Sequence, residues 1–519
     1  MRSKIAIGVG AVVFIGLLVA ALLGAFTPKV DGTAAPDEST RLQKKLADIA
    51  LSLAQAPGAK YTGTITGTGS YRLQVTGLTV TASGDSRGTV ELRGETAQVM
   101  QIGPLTLVKA GSGFWDLQRE DNQPKGIRVG SVADKWTIAP AGVFGLDLRA
   151  ALRPQRLGLS TITQDTLIGG GDVVGDATGR GSETPDRRVP LGRDLTGIAV
   201  LDKDKSEDDK IDTRVRAGDM TVGADADGNL VSLRGPLGSG FASDQTDLSA
   251  DLKVEIQDAD KVSAFYSSLS GDVRSRSPYA AWQMTVPEPA GDLDCGGATC
   301  TLHYDVANTI PGATGGTVSM SLTGTMTGGA TGLCTGSGTM PVNGSGTVRC
   351  TTPYSGGGDV NSRSTVSLTA NATIDQTAVD DAASRGRSYG DAGQWTAVAP
   401  KAADAARKFN AQITGGPSGY VLRIGDVDFD GRESDGTLLL VDGPGYDAHV
   451  LADGSFDAGW AGTAQIVSQA KDAARAAGGK PVRMVFAEQR SGDAARALLA
   501  ANQVTGVDVV VVPAVQPAS

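Results

Sequence analysis

Tyr71-Arg-Leu-Gln-Val75 and Thr89-Val-Glu-Leu-Arg93 are the two stretches that decide the fold of the first part of this sequence. In each, apolar and polar residues alternate, which puts the apolar side chains on one face of a β-strand. The same period of two runs from Tyr61 to Leu107 and is interrupted by turn signals such as Gly84-Asp85. The pattern predicts antiparallel strands with one face in water.

Helical spacing appears on both sides of these strands. Residues 41–55 and 143–152 carry apolar side chains three or four residues apart, which predicts two short helices. Further strands at 220–222 and 230–233 flank Asp225-Ala-Asp-Gly228, which predicts a hairpin turn because the closing Glu of a calcium loop is missing. Residues 41–265 are therefore assigned to one β-rich domain.

A second domain at residues 278–375 is rich in Thr, Ser, Gly and Val and contains all four cysteines. Short alternating runs at regular spacing predict a small β-sandwich. We favour disulfides Cys295–Cys300 and Cys334–Cys350, because each closes a local loop, although three connectivities are open. A zinc site is the alternative, but the cysteine spacing is wider than such sites use. His303 is expected at the surface.

Strands and helices alternate in residues 400–519, which predicts an α/β domain. The predicted helices and strands are, in order, helix 402–413, strands 421–429 and 438–441, helix 462–477, strand 482–487, helix 493–501 and strand 507–512.

The N-terminal segment Ile5 to Phe26 contains 22 residues without a charge, which is long enough to cross a bilayer. Arg2 and Lys4 precede it, so residues 1–4 are predicted to be cytoplasmic and the rest of the chain to be exported. Residues 27–40 are then a tether, and the localisation is a single-pass membrane protein with most of the chain extracytoplasmic. A cleaved signal peptide is the alternative.

The length and net charge of the chain limit the classes of function that it can have. The 519 residues suggest three domains, and the net charge of −10 argues against a protein that coats nucleic acid, because no basic stripe is available for phosphates. An acidic nuclease is still compatible with this charge.

Residues 40–265 resemble the half-barrel envelope lipoproteins of the LolA and LprG kind. The features that carry the resemblance are an opening helix, meandering strands, the pair Phe114-Trp115 and then Trp136. In that family a curved sheet covers an apolar cavity for acyl chains, so the resemblance implies contact with lipid. A β domain with an ordinary core is the alternative.

Residues 405–514 resemble the restriction-endonuclease-fold toxin family, numbered five, of bacterial polymorphic toxins. The motifs that carry the resemblance occur in order: Phe409-Asn-Ala-Gln-Ile413, Val427-Asp-Phe-Asp-Gly431, Asp435-Gly-Thr-Leu-Leu439, Gly443-Pro-Gly-Tyr446, Gln469-Ala470, Ala476-Ala-Gly-Gly479, Pro481-Val482 and Ala487-Glu488. The resemblance implies hydrolysis of phosphodiesters with Mg²⁺ held by carboxylates. The family's first Asp corresponds to Asp430.

The Glu-x-Lys pair of that family is missing, because Leu440 and Asp442 occupy its two positions. Leu440 has no atom that can bind Mg²⁺, and Asp442 places a negative charge where a cation should face phosphate. The alternative is a relocated site in which Asp430 and Asp442 share the metal, with catalytic help from Gln469 and Glu488 and a positive charge from Lys471. His449 is expected at the surface.

These observations predict an α+β multidomain protein with a transmembrane helix, a half-barrel-like domain, a disulfide-bonded β-sandwich and a C-terminal α/β restriction-endonuclease-like domain. The leading hypothesis is an envelope protein whose degenerate toxin-like domain binds a protein, either an immunity-type or an envelope partner. The alternatives are an active Mg²⁺-dependent nuclease that acts on nucleic acid, and a module that binds lipid through residues 40–265. Residues 5–26 would contact the membrane in each case.

Overall fold

A twelve-stranded sheet organises the first half of the chain. The computed structural model describes residues 38–118, 127–129, 132–169, 186–192, 199–201, 210–237, 248–282, 284–286, 290–389, 393–398, 401, 403–414, 419–433 and 435–514. The elements of the first half are α1 (Glu38–Ala54), β1 (Gly58–Thr66), β2 (Arg72–Thr81), β3 (Ser86–Leu92), β4 (Glu95–Ile102), β5 (Leu105–Ala110), α2 (Ser112–Leu117), β6 (Ile127–Val129), β7 (Thr137–Ile138), α3 (Leu148–Leu152), α4 (Pro154–Ser160), β8 (Thr163–Gly169), β9 (Asp186–Gly192), β10 (Ala199–Leu201), β11 (Thr213–Ala217), β12 (Met220–Ala224), β13 (Leu230–Pro236), β14 (Ser249–Gln257) and α5 (Ala259–Ser275).

The large sheet is a meander in which a late strand, β14, pairs with the first strand, β1. Its strand order is β10-β11-β12-β13-β14-β1-β2-β3-β4-β5-β7, followed by Ala280–Ala281, which is β15. Neighbouring strands are antiparallel except β7 and β15. Alternation fixes the faces: Tyr61 and Ile65 of β1 are buried, whereas Lys60 and Thr62 point to the opposite side.

Helices α1 to α4 cover the inner face of this sheet. Leu46, Ile49 and Leu53 of α1 are buried in the core that they form with the strands. Helix α4 packs closely on α1, because a Cβ at Gly158 would lie only 2.6 Å from the carbonyl oxygen of Ala50. A glycine is therefore needed at this helix crossing.

The second region packs on the outer face of the same sheet. Its elements are β16 (Ala290–Gly296), β17 (Thr299–Ala307), β18 (Ala313–Gly328), β19 (Gly332–Pro341), β20 (Ser345–Pro353), β21 (Val360–Ile374) and α6 (Gln376–Tyr389). Two sheets have the orders β16-β17-β20 and β19-β18-β21-β6. The core of this region also contains α5 and the outward side chains of β4 and β5, such as Met100 and Leu107.

Both disulfides lie in the second region. Cys295 pairs with Cys300 between β16 and β17, and Cys334 pairs with Cys350 between β19 and β20. The second bond therefore joins the three-stranded sheet to the four-stranded sheet. This is the local pairing that the sequence favours.

A parallel sheet forms the C-terminal region. Its elements are β22 (Gln394–Ala397), α7 (Asp404–Thr414), β23 (Tyr420–Ile424), β24 (Val427–Phe429), β25 (Gly431–Arg432), β26 (Leu438–Asp442), a 3₁₀ helix (Tyr446–His449), α8 (Ala461–Ala476), β27 (Val482–Phe486), α9 (Gln489–Ala501) and β28 (Val507–Val511). Strands β26, β27 and β28 are parallel, with α8 and α9 as the crossover helices, and β22-β23-β24 is a separate antiparallel sheet.

The C-terminal region rests on the helical layer of the first. The side-chain amide of Gln55 donates to the carbonyl oxygen of the buried residue Trp395 at 3.3 Å. The amide of Gln155 donates to the carbonyl oxygen of Arg432, also at 3.3 Å. The two regions thereby share one continuous core.

The structure corrects the predicted fold class. Strands account for about 45 % of the residues that the structure describes, so this part of the chain is mostly β rather than an even α+β mixture. The three regions are not independent either, because α5, β6 and β15 cross the predicted domain boundaries to complete the neighbouring core or sheet.

The predicted single-pass membrane topology is also withdrawn. Among the helices of the residues that the structure describes, none is both long and apolar enough to cross a membrane. The proposed span at residues 5–26, the cytoplasmic residues 1–4 and most of the tether at residues 27–40 lie outside the described residues.

Candidate functional site

The carboxylates that the sequence singles out lie where strands of the C-terminal region end. Asp442 is the last residue of β26, and Asp430 lies between β24 and β25. The carboxyl ends of parallel strands form the edge at which α/β sheets bind ligands. Lys401 also reaches this edge: its Nζ lies 3.0 Å from Asp430 Oδ1 and donates to the carbonyl oxygen of Val441 at 2.6 Å.

Both carboxylate oxygens of Asp430 accept hydrogen bonds. Asn410 Nδ2 donates to Oδ1 at 2.7 Å, and the backbone N–H of Val441 donates to Oδ2 at 2.7 Å. Hydrogen bonds to an ionised group are about twice as strong as neutral ones. Asp430 therefore ties α7 and Lys401 to β26.

One of the two carboxylate oxygens of Asp442 accepts a hydrogen bond from a described residue, and the other does not. Asp442 is 7 % exposed, its Oδ1 accepts a 3.1 Å hydrogen bond from the hydroxyl of Tyr446, and its Oδ2 has no hydrogen-bond partner in the described part of the chain. Burial raises the pKa of Asp442 to about 6; nearby Asp430 also raises it, whereas Lys401 and the Tyr446 hydrogen bond oppose the rise. Burial likewise raises the pKa of Tyr446, and Asp442 adds to that rise.

The other predicted site residues do not join this pair. Glu488 holds the loop after β26, since its two oxygens accept from the backbone N–H groups of Gly445 at 2.7 Å and Asp447 at 3.1 Å. Gln469 and Lys471 lie on α8, and neither contacts Asp430 or Asp442 in the described part of the chain. The positive charge at the carboxylates comes from Lys401 instead.

The two histidines play no part in this site. The ring of His449 stacks on Trp460 with the centroids 4.1 Å apart. His303 lies in β17, within the second region. Within the described residues, no hydrogen bond joins either ring to Asp430 or Asp442.

The Mg²⁺ that the toxin-family resemblance implies does not fit these residues. Mg²⁺ needs oxygen ligands in near-octahedral geometry. Asp430 is already bound to N–H donors and to a lysine, whose charge would oppose a divalent cation, and Leu440 is fully buried. Over the residues described, no group of three or more His, Cys, Asp or Glu is arranged to hold a metal ion.

The interior of the first region presents a second candidate site. The hydroxyl of Tyr61 and the indole N–H of Trp115 are buried there, and neither has a hydrogen-bond partner among the residues that the structure describes. Burial raises the pKa of the Tyr61 hydroxyl well above its ordinary range. Phe114 packs between Trp115 and Phe144, with ring centroids 5.2 and 5.6 Å apart, so the surroundings are aromatic.

Comparison with known proteins adds little. No family model and no curated protein matches the sequence. LprF from Mycobacterium bovis, a lipoprotein of the LolA and LprG type, is 11 % identical with a TM-score of 0.19, over 42 % of this chain and 92 % of that one. The MucA/MucB complex from Pseudomonas aeruginosa is 12 % identical with a TM-score of 0.15, over 66 % of this chain and 97 % of that one. Likenesses of this size establish neither fold nor function here.

The prediction that residues 400–519 are nuclease-like is corrected. No family model supports the toxin-family resemblance. Leu440, which lies in the core, and Asp442 occupy the two positions of the missing Glu-x-Lys pair. Asp442 is buried, and one of its carboxylate oxygens has no hydrogen-bond partner among the described residues. Asp430 and Lys401 act together as an internal tie between α7 and β26.

Proposed function

We propose that the protein is an extracytoplasmic binding module whose first region takes an acyl-bearing lipid between the large sheet and its helical layer. The observation that carries the proposal is the pair of buried, unpartnered donors, Tyr61 Oη and Trp115 Nε1. A buried donor without an acceptor costs about 1–3 kcal/mol. An ester or phosphate oxygen of a lipid would supply the acceptor, and the apolar surroundings suit its chains.

The two disulfides support the extracytoplasmic part of the proposal. All four cysteines are bonded, and such bonds persist in oxidising compartments, whereas the cytosol keeps thiols reduced. Cys300, Cys334 and Cys350 are buried, which is typical of structural disulfides rather than of redox sites.

A ligand must displace part of the aromatic packing at α2. This helix has only six residues, and its N-cap residue Gly111 makes no side-chain capping bond. Leu117 at its C-terminal end is 39 % exposed. Short helices with weak caps are the segments that open at low free-energy cost, so α2 is the element expected to shift.

The test is lipid binding by the purified full-length chain. Organic extracts of the protein are analysed by mass spectrometry, and binding of a fluorescent fatty acid is titrated for the natural protein and two variants. Tyr61→Phe removes the unpartnered hydroxyl and should weaken binding about fivefold, the effect of one hydrogen bond. Tyr71→Phe is the matched control, because its hydroxyl already donates to the carbonyl oxygen of Phe144 at 2.9 Å.

Lipid in the extract together with weaker binding by Tyr61→Phe alone supports the proposal. If no lipid is extracted and the fluorescent fatty acid does not bind, the lipid assignment is wrong. A protein partner is then the ligand class to test.

A further inference from the structure

Three lysines line a groove on the outer face of the large sheet. The groove has a volume of about 280 Å³, and Lys60 of β1, Lys253 of β14 and Lys210 before β11 contribute to its walls. Val231 and Ser232 of β13 form the part of the wall between Lys253 and Lys210. The groove is therefore built mainly from strands of a rigid sheet.

Strand register explains why these side chains meet. Lys253 of β14 lies opposite Thr62 of β1 on one side and opposite Ser232 of β13 on the other. Lys60 is two residues from Thr62 and so projects from the same face. Its side chain runs over the bulge in β2, where a Cβ at Gly77 would come within 3.2 Å of Lys60 Cε.

The segment before β11 forms the opposite wall. Ile211 lies over Gly223 of β12, where an added Cβ would be 3.3 Å from Ile211 Cδ1 and 2.3 Å from Ser232 Oγ. The absence of a side chain at Gly223 lets this segment approach the sheet. Lys210 is thereby brought to the same groove as Lys253.

Three of the described residues that line the groove are lysines, although the protein has a net charge of −10. Among the described residues that line it, Glu255 is the acidic one. That carboxylate already interacts with Lys261 at 3.8 Å and accepts a hydrogen bond from Gln257 at 3.2 Å. Charges elsewhere on the surface are screened over about 10 Å at 0.1 M salt.

We propose that this groove binds a phosphate-bearing anion. Lysine ammonium groups are common partners of phosphate, and several cations around one site match the charge of a phosphate group. The groove volume is close to the lower end of the roughly 300–1,000 Å³ of pockets that enclose whole drug-sized ligands, which suits a phosphate or a headgroup. Thr62 and Ser232 add hydroxyl groups within the same lining.

This site is separate from the interior proposed for lipid. On β1, Tyr61 faces the interior, whereas Lys60 and Thr62 line the groove on the other face. Failure of one proposal therefore leaves the other standing. The phosphate has two sources, a lipid headgroup at a membrane surface or a soluble phosphate compound, and the experiment separates them.

The test uses the purified full-length chain in two assays at low and high salt. Binding of inorganic phosphate is measured by calorimetry, and cosedimentation is measured with vesicles of phosphatidylcholine alone or mixed equally with phosphatidylglycerol. The groove variant is Lys60→Gln/Lys210→Gln. The matched control is Lys44→Gln/Lys471→Gln, which loses the same charge at exposed positions on α1 and α8.

The groove variant should bind about thirtyfold more weakly than the control, because it loses two charge contacts that each contribute about 1 kcal/mol in water. Its thermal unfolding should match that of the control, since Lys60 and Lys210 are exposed. A loss in both assays assigns a lipid headgroup, and a loss with inorganic phosphate alone assigns a soluble compound. Absence of binding by the natural protein, or equal binding by the two variants, overturns the proposal.

Discussion

The hydroxyl of Tyr266 in α5 donates a 2.7 Å hydrogen bond to Oδ2 of Asp85, in the turn between β2 and β3. The side chain of Asp85 is almost fully buried, and its Oδ1 lies 2.7 Å from Arg149 of α3. Oδ1 also accepts from the backbone N–H of Gly103 at 2.9 Å. One carboxylate therefore links the helical layer on the inner face of the sheet to the helix on its outer face.

Replacing Asp85 should be costly. In Asp85→Ala, Arg149 and Tyr266 lose their shared acceptor in a buried site, so we expect the free energy of unfolding to fall by about 3 kcal/mol. Urea denaturation measures this loss. The control is Asp251→Ala, whose ion pair with Arg234 is more than 60 % exposed on both sides; it should cost less than about 1 kcal/mol. Equal losses in the two variants would contradict the assigned role of Asp85.

Helices α5 and α6 approach closely at a glycine. A Cβ at Gly386 of α6 would lie 2.1 Å from the hydroxyl oxygen of Tyr266, so Gly386→Ala must displace that side chain. We expect a loss of about 1–3 kcal/mol from overpacking and from disturbance of the Asp85 hydrogen bond. Gly271→Ala in α5 is the control, since an added Cβ there meets nothing within 4 Å. The higher helix propensity of alanine should raise the free energy of unfolding of that variant by up to about 1 kcal/mol. Thermal unfolding should therefore show a lower midpoint for Gly386→Ala and an unchanged or higher one for Gly271→Ala.

Local patterns in the sequence predict individual elements well. The turn at Asp225-Ala-Asp-Gly228 is confirmed, with Asp225 Oδ1 accepting from the backbone N–H of Asn229 at 2.8 Å. The helix predicted at 462–477 is α8, one residue earlier. The strand predicted at 421–429 is wrong as a single strand, because Gly425 has φ +62° and turns the chain between β23 and β24.

Contacts between distant segments could not be predicted in the same way. Lys401 meets Asp430 only because α7 packs on β26, and neither residue carries a spacing that signals the other. The groove lysines come from three separate segments for the same reason. Periodicity reports which face of an element is buried, but it does not report which element covers that face.

Removal of the second disulfide should destabilise the protein more than removal of the first. Cys334 and Cys350 are 16 residues apart, whereas Cys295 and Cys300 are five apart. Loop-closure entropy predicts a loss of about 3 kcal/mol for Cys334→Ala/Cys350→Ala and about 2 kcal/mol for Cys295→Ala/Cys300→Ala. Guanidinium denaturation of both variants under oxidising conditions tests this order. A larger loss from Cys295→Ala/Cys300→Ala would show that loop length does not control the difference.

The buried carboxyl of Asp442 should make stability depend on pH. Burial raises its pKa to about 6 in the folded protein, above the ordinary value of about 4. Below pH 4 the carboxyl of Asp442 is neutral in both the folded and the unfolded state, so its burial does not lower the free energy of unfolding through charge. As the pH rises from about 4 to 6, the unfolded chain loses this proton first, so the contribution of Asp442 to stability falls and reaches its minimum above pH 6.

Asp442→Asn should therefore stabilise the protein at pH 8, by roughly 3 kcal/mol, and have little effect below pH 4. The amide keeps an acceptor for Tyr446, and Lys401 keeps Asp430 as its partner. Asp430→Asn is the contrasting control: that carboxylate accepts from Asn410 and Val441 and pairs with Lys401, so its neutralisation should destabilise the protein at pH 8. Urea denaturation at pH 8 and below pH 4 measures whether each variant is more or less stable than the natural protein. Destabilisation by Asp442→Asn at pH 8 would mean that the ionised carboxylate is favourable where it lies, in which case Lys401 outweighs the cost of burial.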